Sequence, residues 1–201
     1  MTRKEEIISA TLELASEYGL KAVSLGQIAD RVGIRKASLY NHFSSKEEIV
    51  GEMYSVLRTQ AQRNNSVSFD YGTLLGESSL ESVLTVCLSV YTGFLSDRQM
   101  LMFFRVLYSE RSTTPTAAQI MVEETERMIS NAKSLFYALV VHGKMKNEDV
   151  DTAALSYAMT IHSLIDRKLD MMTAKQETID IAEIPEEIKE YIRWFSKQMG
   201  V

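Results

Sequence analysis

GIRKASLYNHFSSKEEI, residues 33–49, places Arg35, Lys36 and Lys46 beside one tyrosine and one histidine, directly after a glycine. Read as a helix, each residue advances about 100°. With Leu39 at the centre of a buried face, Phe43 joins it one turn later, and a third helix of the chain runs over about 35–43. The opposite face is then Ala37 and Asn41, flanked by Ser38 and Tyr40, with Lys36 in the first turn and Arg35 just before it. Small residues let a backbone approach a major groove. Asn and Ser reach base edges, and Lys or Arg reaches guanine or phosphate. Tyr40 and His42 can donate to phosphates from the rim. A bland alternative makes Leu39 and Phe43 core and the cations a solvated face. It leaves the acid-free run from Arg31 to Lys46 unexplained.

The residues just upstream complete a motif. In LGQIADRV, residues 25–32, Ile28, Ala29 and Val32 form an inward face. Gly33 permits a sharp turn and Ile34 plugs the corner. Two short helices at this spacing are a helix-turn-helix, with the second as recognition helix. Ser24 and Gln27 make a capping box at its start, and Ser24 joins the DNA-facing set. Lys46 lies in the first turn of a fourth helix, where its charge and the free backbone N–H groups are placed to clamp a phosphate.

The rest of the chain is consistent with an all-α protein of about nine helices. Only 2 Pro and 9 Gly interrupt 201 residues. Thr2 with Glu5 opens a first helix, whose face carries Ile7, Ala10, Thr11, Leu14 and Tyr18 before Gly19 ends it. Ser44 with Glu47, or Ser45 with Glu48, caps the fourth helix, which runs to about 64. A polar stretch over 64–76 then separates two regions, and helices follow at about 79–96, 98–111, 115–142, 149–173 and 185–199. Pro115 and Pro185 suit first helical positions, and Asp149 or Asp151 is a candidate cap. Residues 1–50 are expected to form a DNA-binding domain, with the fourth helix connecting it to a second domain over 51–201.

The formal net charge of −5 argues against a nucleic-acid binder until its distribution is read. Residues 1–50 hold seven cations and seven acids, whereas the remainder holds fifteen against twenty. Within the balanced part, Arg31–Lys46 carries four cations and no acid. Cys87 has no internal partner and reads as a core thiol in a reducing, cytoplasmic setting. The amphipathic, acid-bearing N-terminus does not read as a signal peptide, and no apolar run approaches membrane length. No nucleophile motif, glycine-rich phosphate loop or dense His/Cys/carboxylate cluster suggests an enzyme. No cofactor, catalytic residue or metal site is expected; His162 and Asp166 have metal-pair spacing but read better as a hydrogen bond.

YGLKAVSLGQIADRVGIRKASLYNHFSSKEEIVGEMY, residues 18–54, resembles the N-terminal domain of the TetR family of bacterial transcriptional regulators. The shared features are Tyr18-Gly19, Ile28-Ala29, Val32-Gly33, Leu39-Tyr40, His42-Phe43 and Lys46-Glu47-Glu48. Arg35 departs from the family's usual Ser or Thr, which caps the recognition helix. The resemblance implies a homodimer on a palindromic operator in duplex DNA, with a divergent second domain for dimerisation and for an effector. The helical steps of Ala154, Ala158, Ile161 and Ile165, and of Ile188, Ile192 and Phe195, suit a dimer interface. Met and aromatic residues suit an apolar pocket: Tyr91, Phe103, Phe104, Tyr108, Met121 and Met128. Glu124, Thr125 and His162 interrupt apolar faces and are candidate ligand contacts. The expected effector is an apolar or amphipathic small molecule. The expected function is a ligand-released repressor, with an activator or protein-controlled co-regulator as the alternative within the class. An all-helical enzyme or interaction protein is the remote alternative.

Overall fold

The computed structural model describes residues 1–65, 75–76, 78–177 and 183–201; most of the connection expected over 64–76 lies outside these. Among the described residues there are nine α-helices and one 3₁₀ turn at Leu20–Ala22. They are α1 Arg3–Tyr18, α2 Leu25–Val32, α3 Lys36–Leu39, α4 Lys46–Asn65, α5 Leu80–Leu95, α6 Arg98–Glu110, α7 Pro115–Val141, α8 Val150–Ala174 and α9 Glu186–Met199. The all-α expectation and the order of helices therefore hold.

Two compact units emerge, and they do not follow chain order. The first comprises Met1–Ser66 and Asp97–Met121; the second comprises Val67–Ser96 and Val122–Val201. In the first, α1 is the hub: α2, α4 and α6 all pack on it. Ile7, Leu12, Ile28, Leu39, Phe43, Ile49, Met53 and Phe103 form its core. Tyr18, expected on the packed face of α1, is exposed, because it is the last helical residue before Gly19 turns the chain.

In the second unit, α5 and α8 pack on α9. Phe136 of α7, Tyr157 of α8 and Phe195 of α9 form an aromatic centre with ring centroids 5.2–5.5 Å apart. The loop after α7 is tied to the C-terminus, where the Lys146 N–H donates to the Met199 carbonyl at 2.8 Å. Ala154, Ala158, Ile161, Ile165, Ile188, Ile192 and Phe195 are all buried within the single chain. These seven residues contribute to the unit's own core. Exposed apolar residues on the same helices include Leu155, Met159 and Trp194, at 47%, 43% and 57% exposed.

Cap chemistry explains most boundaries. Thr2 and Glu5 form a reciprocal box on α1, as Ser24 and Gln27 do on α2. At α4 only half of the Ser45–Glu48 box forms: the Ser45 Oγ accepts from the Glu48 N–H, while the Glu48 carboxylate accepts from both the N–H and Oγ of Ser44, one residue earlier, at 2.6 Å. These bonds hold the Glu48 carboxyl below the ordinary carboxylate range, Ser44 Oγ being the largest cause. Pro115 takes the first position of α7 as expected, but Pro185 precedes α9 as its N-cap. Neither Asp149 nor Asp151 caps α8. Asp149 sits at the cap in a left-handed conformation with no side-chain bond, and the Asp151 carboxylate instead meets Tyr137 and Lys133.

Candidate nucleic-acid interface

The turn between α2 and α3 is built by Gly33, at φ 73°, a left-handed conformation that a side chain would strain. Its N–H donates back to Ala29 and Asp30, closing α2. The Ile34 N–H reaches the Ala29 carbonyl at 3.0 Å. These bonds set the angle at which α3 leaves.

The α-helical part of α3 is a single turn, Lys36–Leu39, rather than the span over 35–43 expected from periodicity. The chain does not uncoil there. The N–H groups of Asn41 and His42 donate three residues back, to Ser38 and Leu39, and Phe43 donates four back to Leu39. The winding tightens toward 3₁₀, which keeps Leu39 and Phe43 on the buried side. Arg35 stands at the N-cap and makes no side-chain capping bond there.

Arg35, Lys36, Ala37, Tyr40 and Asn41 are exposed on the opposite side, and Ser38 and His42 are partly buried at its edges. Ser24 is exposed at the start of α2, its Oγ already engaged with Gln27. The four cations of the basic window divide into two pairs. Arg31 turns to α1, with Glu13 at 3.0 Å and Glu17 at 3.7 Å. Lys46 donates from Nζ to the Leu20 carbonyl at 2.7 Å, fastening the start of α4 to the 3₁₀ turn. Arg35 and Lys36 have no ion pair or side-chain hydrogen bond among the described residues. Both side chains are exposed to solvent. Lys4 lies over the Phe43 ring at 5.1 Å and stacks the N-terminal helix on the end of the recognition element.

The residues selected as ligand contacts divide between the units. Phe103, Phe104, Tyr108 and Met121 belong to the first. Phe103 is buried between Tyr54 and Phe104, and the Arg111 guanidinium sits 4.5 Å over the Tyr108 ring. Tyr91, Glu124, Thr125, Met128 and His162 belong to the second and are all partly buried. Glu124 is held by both oxygens on Arg127, at 3.0 and 3.1 Å, and His162 Nε2 lies 3.6 Å from Asp166. Burial raises the Tyr91 phenol above its ordinary pKa, with the Asp166 and Glu124 charges adding to it. Among the described residues no group of three or more His, Cys, Asp or Glu is placed to hold a metal, and no helix is long and apolar enough to cross a membrane. Cys87 is half-buried, and desolvation pushes its thiol up to about 11.

Comparison with known proteins agrees with this geometry. Residues 7–53 match the family model for bacterial regulatory proteins of the tetR family. Residues 82–198, more than half the chain, match that of the C-terminal domain of AefR-like transcriptional repressors. Similar curated proteins include the HTH-type transcriptional repressor KstR2 of Mycobacterium tuberculosis, 42% identical over 52 residues. That match spans about a quarter of this chain and of that repressor. The HTH-type transcriptional regulator SrpR of Pseudomonas putida is 25% identical over 182 residues, 89% of this chain and 81% of SrpR. A solved TetR-family regulator from Mesorhizobium loti superimposes with a TM-score of 0.71 at 25% identity, covering all of both chains. Two family models that together span the helix-turn-helix and the helical domain behind it place this chain in the TetR family of bacterial regulatory proteins, with an AefR-like C-terminal domain.

Proposed function

We propose that the chain is a transcriptional repressor that binds a palindromic operator as a homodimer and is released by a small molecule. The observation that carries this reading is the exposed face of Arg35, Lys36, Ala37, Tyr40 and Asn41, on an otherwise acidic protein. Arg35 and Lys36 supply the sequence-independent attraction to phosphate, Ser24, Ser38, His42 and Lys46 contribute from the rim, and Asn41 reads a base edge across the small Ala37. One recognition helix binds weakly; two, fixed about one helical turn of DNA apart, supply specificity.

Residues 1–50 contact DNA in this reading, and residues 51–201 carry the dimer surface and the effector site. With the periodic face of α8 and α9 spent on the monomer core, the dimer forms through their outer faces at Leu155, Met159 and Trp194. Tyr91, Glu124, Thr125 and His162 are the effector's polar contacts, since side chains of this polarity inside a helical bundle need partners that a ligand can exchange, and Met128 adds adaptable apolar surface. The effector is apolar or amphipathic. It releases DNA if it prefers the non-binding arrangement by about 1–3 kcal/mol.

The test is equilibrium binding to duplex DNA at several salt concentrations, for the wild type and for Lys36→Ala and Asn41→Ala. Asn41→Ala is expected to cost about 1–3 kcal/mol on a specific site and almost nothing on unrelated duplex. Lys36→Ala is expected to weaken both and flatten the salt dependence. Unchanged affinity in both variants removes α3 as the reading element.

A further inference from the structure

Lys4 occupies the second position of α1, inside its first turn. A cation is disfavoured there, because the aligned peptide dipoles make a helix N-terminus positive. The neighbouring cation Arg3 is answered by Glu6, on α1 itself. Lys4 turns instead to the end of the recognition element. Its ammonium lies over the Phe43 ring, 5.1 Å from the centroid, and that ring is only 2% exposed. Its charge also acts on Glu48, in the first turn of α4.

The two groups that answer Lys4 hold consecutive residues. Phe43 ends the winding that continues α3, its N–H donating to the Leu39 carbonyl at 3.1 Å. Ser44 follows, and both its N–H and its Oγ donate to the Glu48 carboxylate. Those two bonds are the larger reasons why the Glu48 carboxyl stays below its ordinary range, and the Lys4 charge adds to them. The recognition element needs such a clamp. Its α-helical part has four residues, and a helix so short does not hold its shape in water without tertiary contacts. Its front end is fixed by the turn at Gly33 and by the Ile34 N–H on the Ala29 carbonyl. Leu39 and Phe43 fix its buried side, and Lys4 joins its rear end to α1, the helix on which α2 and α4 pack.

We infer that Lys4 is a positioning residue for DNA recognition: through the Phe43 ring, and the carboxylate that binds Ser44, it sets the end of the recognition element against the first turn of α1. Asn41 lies two residues before Phe43, so a shift at that end moves the side chain read as the base contact. The role differs from that of a phosphate contact. A phosphate contact acts on every duplex and on the salt dependence, whereas alignment acts on the preferred sequence alone. An exposed cation–π contact corresponds to about a two- to fivefold change in an equilibrium constant. The role rests on the reading of α3 as the DNA-contacting helix, so one measurement is made without DNA.

Lys4→Met keeps most of the stem and removes the charge, while Lys4→Arg keeps a cation that stacks on the ring. Amide hydrogen exchange of the whole chain, read by NMR, comes first. In Lys4→Met the protection of the Asn41, His42 and Phe43 amides is expected to fall about two- to fivefold, with that of α8 unchanged. The midpoint of thermal unfolding is expected to move by less than about 2 °C, because relief at the α1 N-terminus offsets the lost contact. Equilibrium binding is then measured on a duplex enriched by the wild type from a random pool, and on an unrelated duplex of equal length. Lys4→Met is expected to bind the enriched duplex at least about twofold more weakly, because fewer molecules hold the element aligned. Its binding to the unrelated duplex and its salt slope are expected to match the wild type. Lys4→Arg is expected to restore both protection and affinity. Unchanged protection or an unchanged preference between the duplexes overturns the inference, as does protection lost throughout the chain. Equal weakening on both duplexes, with the salt slope lowered by about 0.9, also overturns it and makes Lys4 a phosphate contact. A wild type that enriches no duplex, with protection still lost at residues 41–43 in Lys4→Met, refutes the reading of α3 and leaves the clamp on Phe43 in place.

Discussion

Lys46→Met isolates what a single hydrogen bond does for the DNA-binding unit. Lys46 Nζ donates to the Leu20 carbonyl at 2.7 Å and joins the first turn of α4 to the 3₁₀ turn that follows α1. Methionine keeps most of the aliphatic stem and removes the charged donor. A hydrogen bond to a charged group contributes about 1.5–3 kcal/mol when well buried. Lys46 is only partly buried, so water recovers some of the loss, and about 1–2 kcal/mol is expected. In a chain of this size that corresponds to a fall in Tm of about 2–8 °C. The ammonium has two further donors to offer to a phosphate. If one phosphate is neutralised, the salt slope of DNA binding falls by about 0.9 in the variant. Thermal unfolding by far-UV ellipticity reads the first effect, and a salt titration of duplex binding reads the second. An unchanged Tm refutes the bond as a strut. A lowered Tm with an unchanged slope makes Lys46 a positioning residue only.

Three further outcomes are expected. Ser24→Ala removes the capping box of α2 and lowers stability by about 1 kcal/mol in denaturant titration. Leu155→Glu combined with Met159→Glu places two charges on the outer face of α8 and leaves its core untouched. Light scattering should give a monomer that has lost tight operator binding, whereas a persistent dimer moves the interface elsewhere. The Glu48 carboxyl is held below its ordinary range, so its contribution is present above the unfolded-state pKa and disappears as pH falls through the folded-state value. Glu48→Gln should therefore flatten the acid limb of the stability profile; an unaltered limb would show that the Ser44 bonds carry no net stability.

The parts legible in the sequence are those fixed within a few residues. Thr2 with Glu5 and Ser24 with Gln27 are local pairs, and both formed the expected boxes. Leu39 and Phe43 lie one turn apart and both turned inward. Asn41 kept its exposed side although the α-helix ended at Leu39, because i to i−3 bonds continued the winding. Other features depended on contacts far along the chain. Ala154 through Ile165 show the spacing of a packed face, but spacing does not say whether the covering surface is the chain's own α9 or a second subunit. Lys46 read as a free cation because its acceptor, a backbone carbonyl 26 residues earlier, leaves no mark in side-chain composition. The two cations that stayed outward, Arg35 and Lys36, are distinguished from Arg31 by the positions of Glu13 and Glu17 on α1.

Selection of bound duplexes from a random pool by the purified protein, repeated at two salt concentrations, tests the central claim most directly. The expected result is an enriched inverted repeat whose half-sites lie about one helical turn apart, with enrichment lost when Asn41 is replaced by alanine. Recovery of no common sequence, with only weak binding that vanishes at moderate salt, would contradict it and leave the exposed face of α3 without a specific partner.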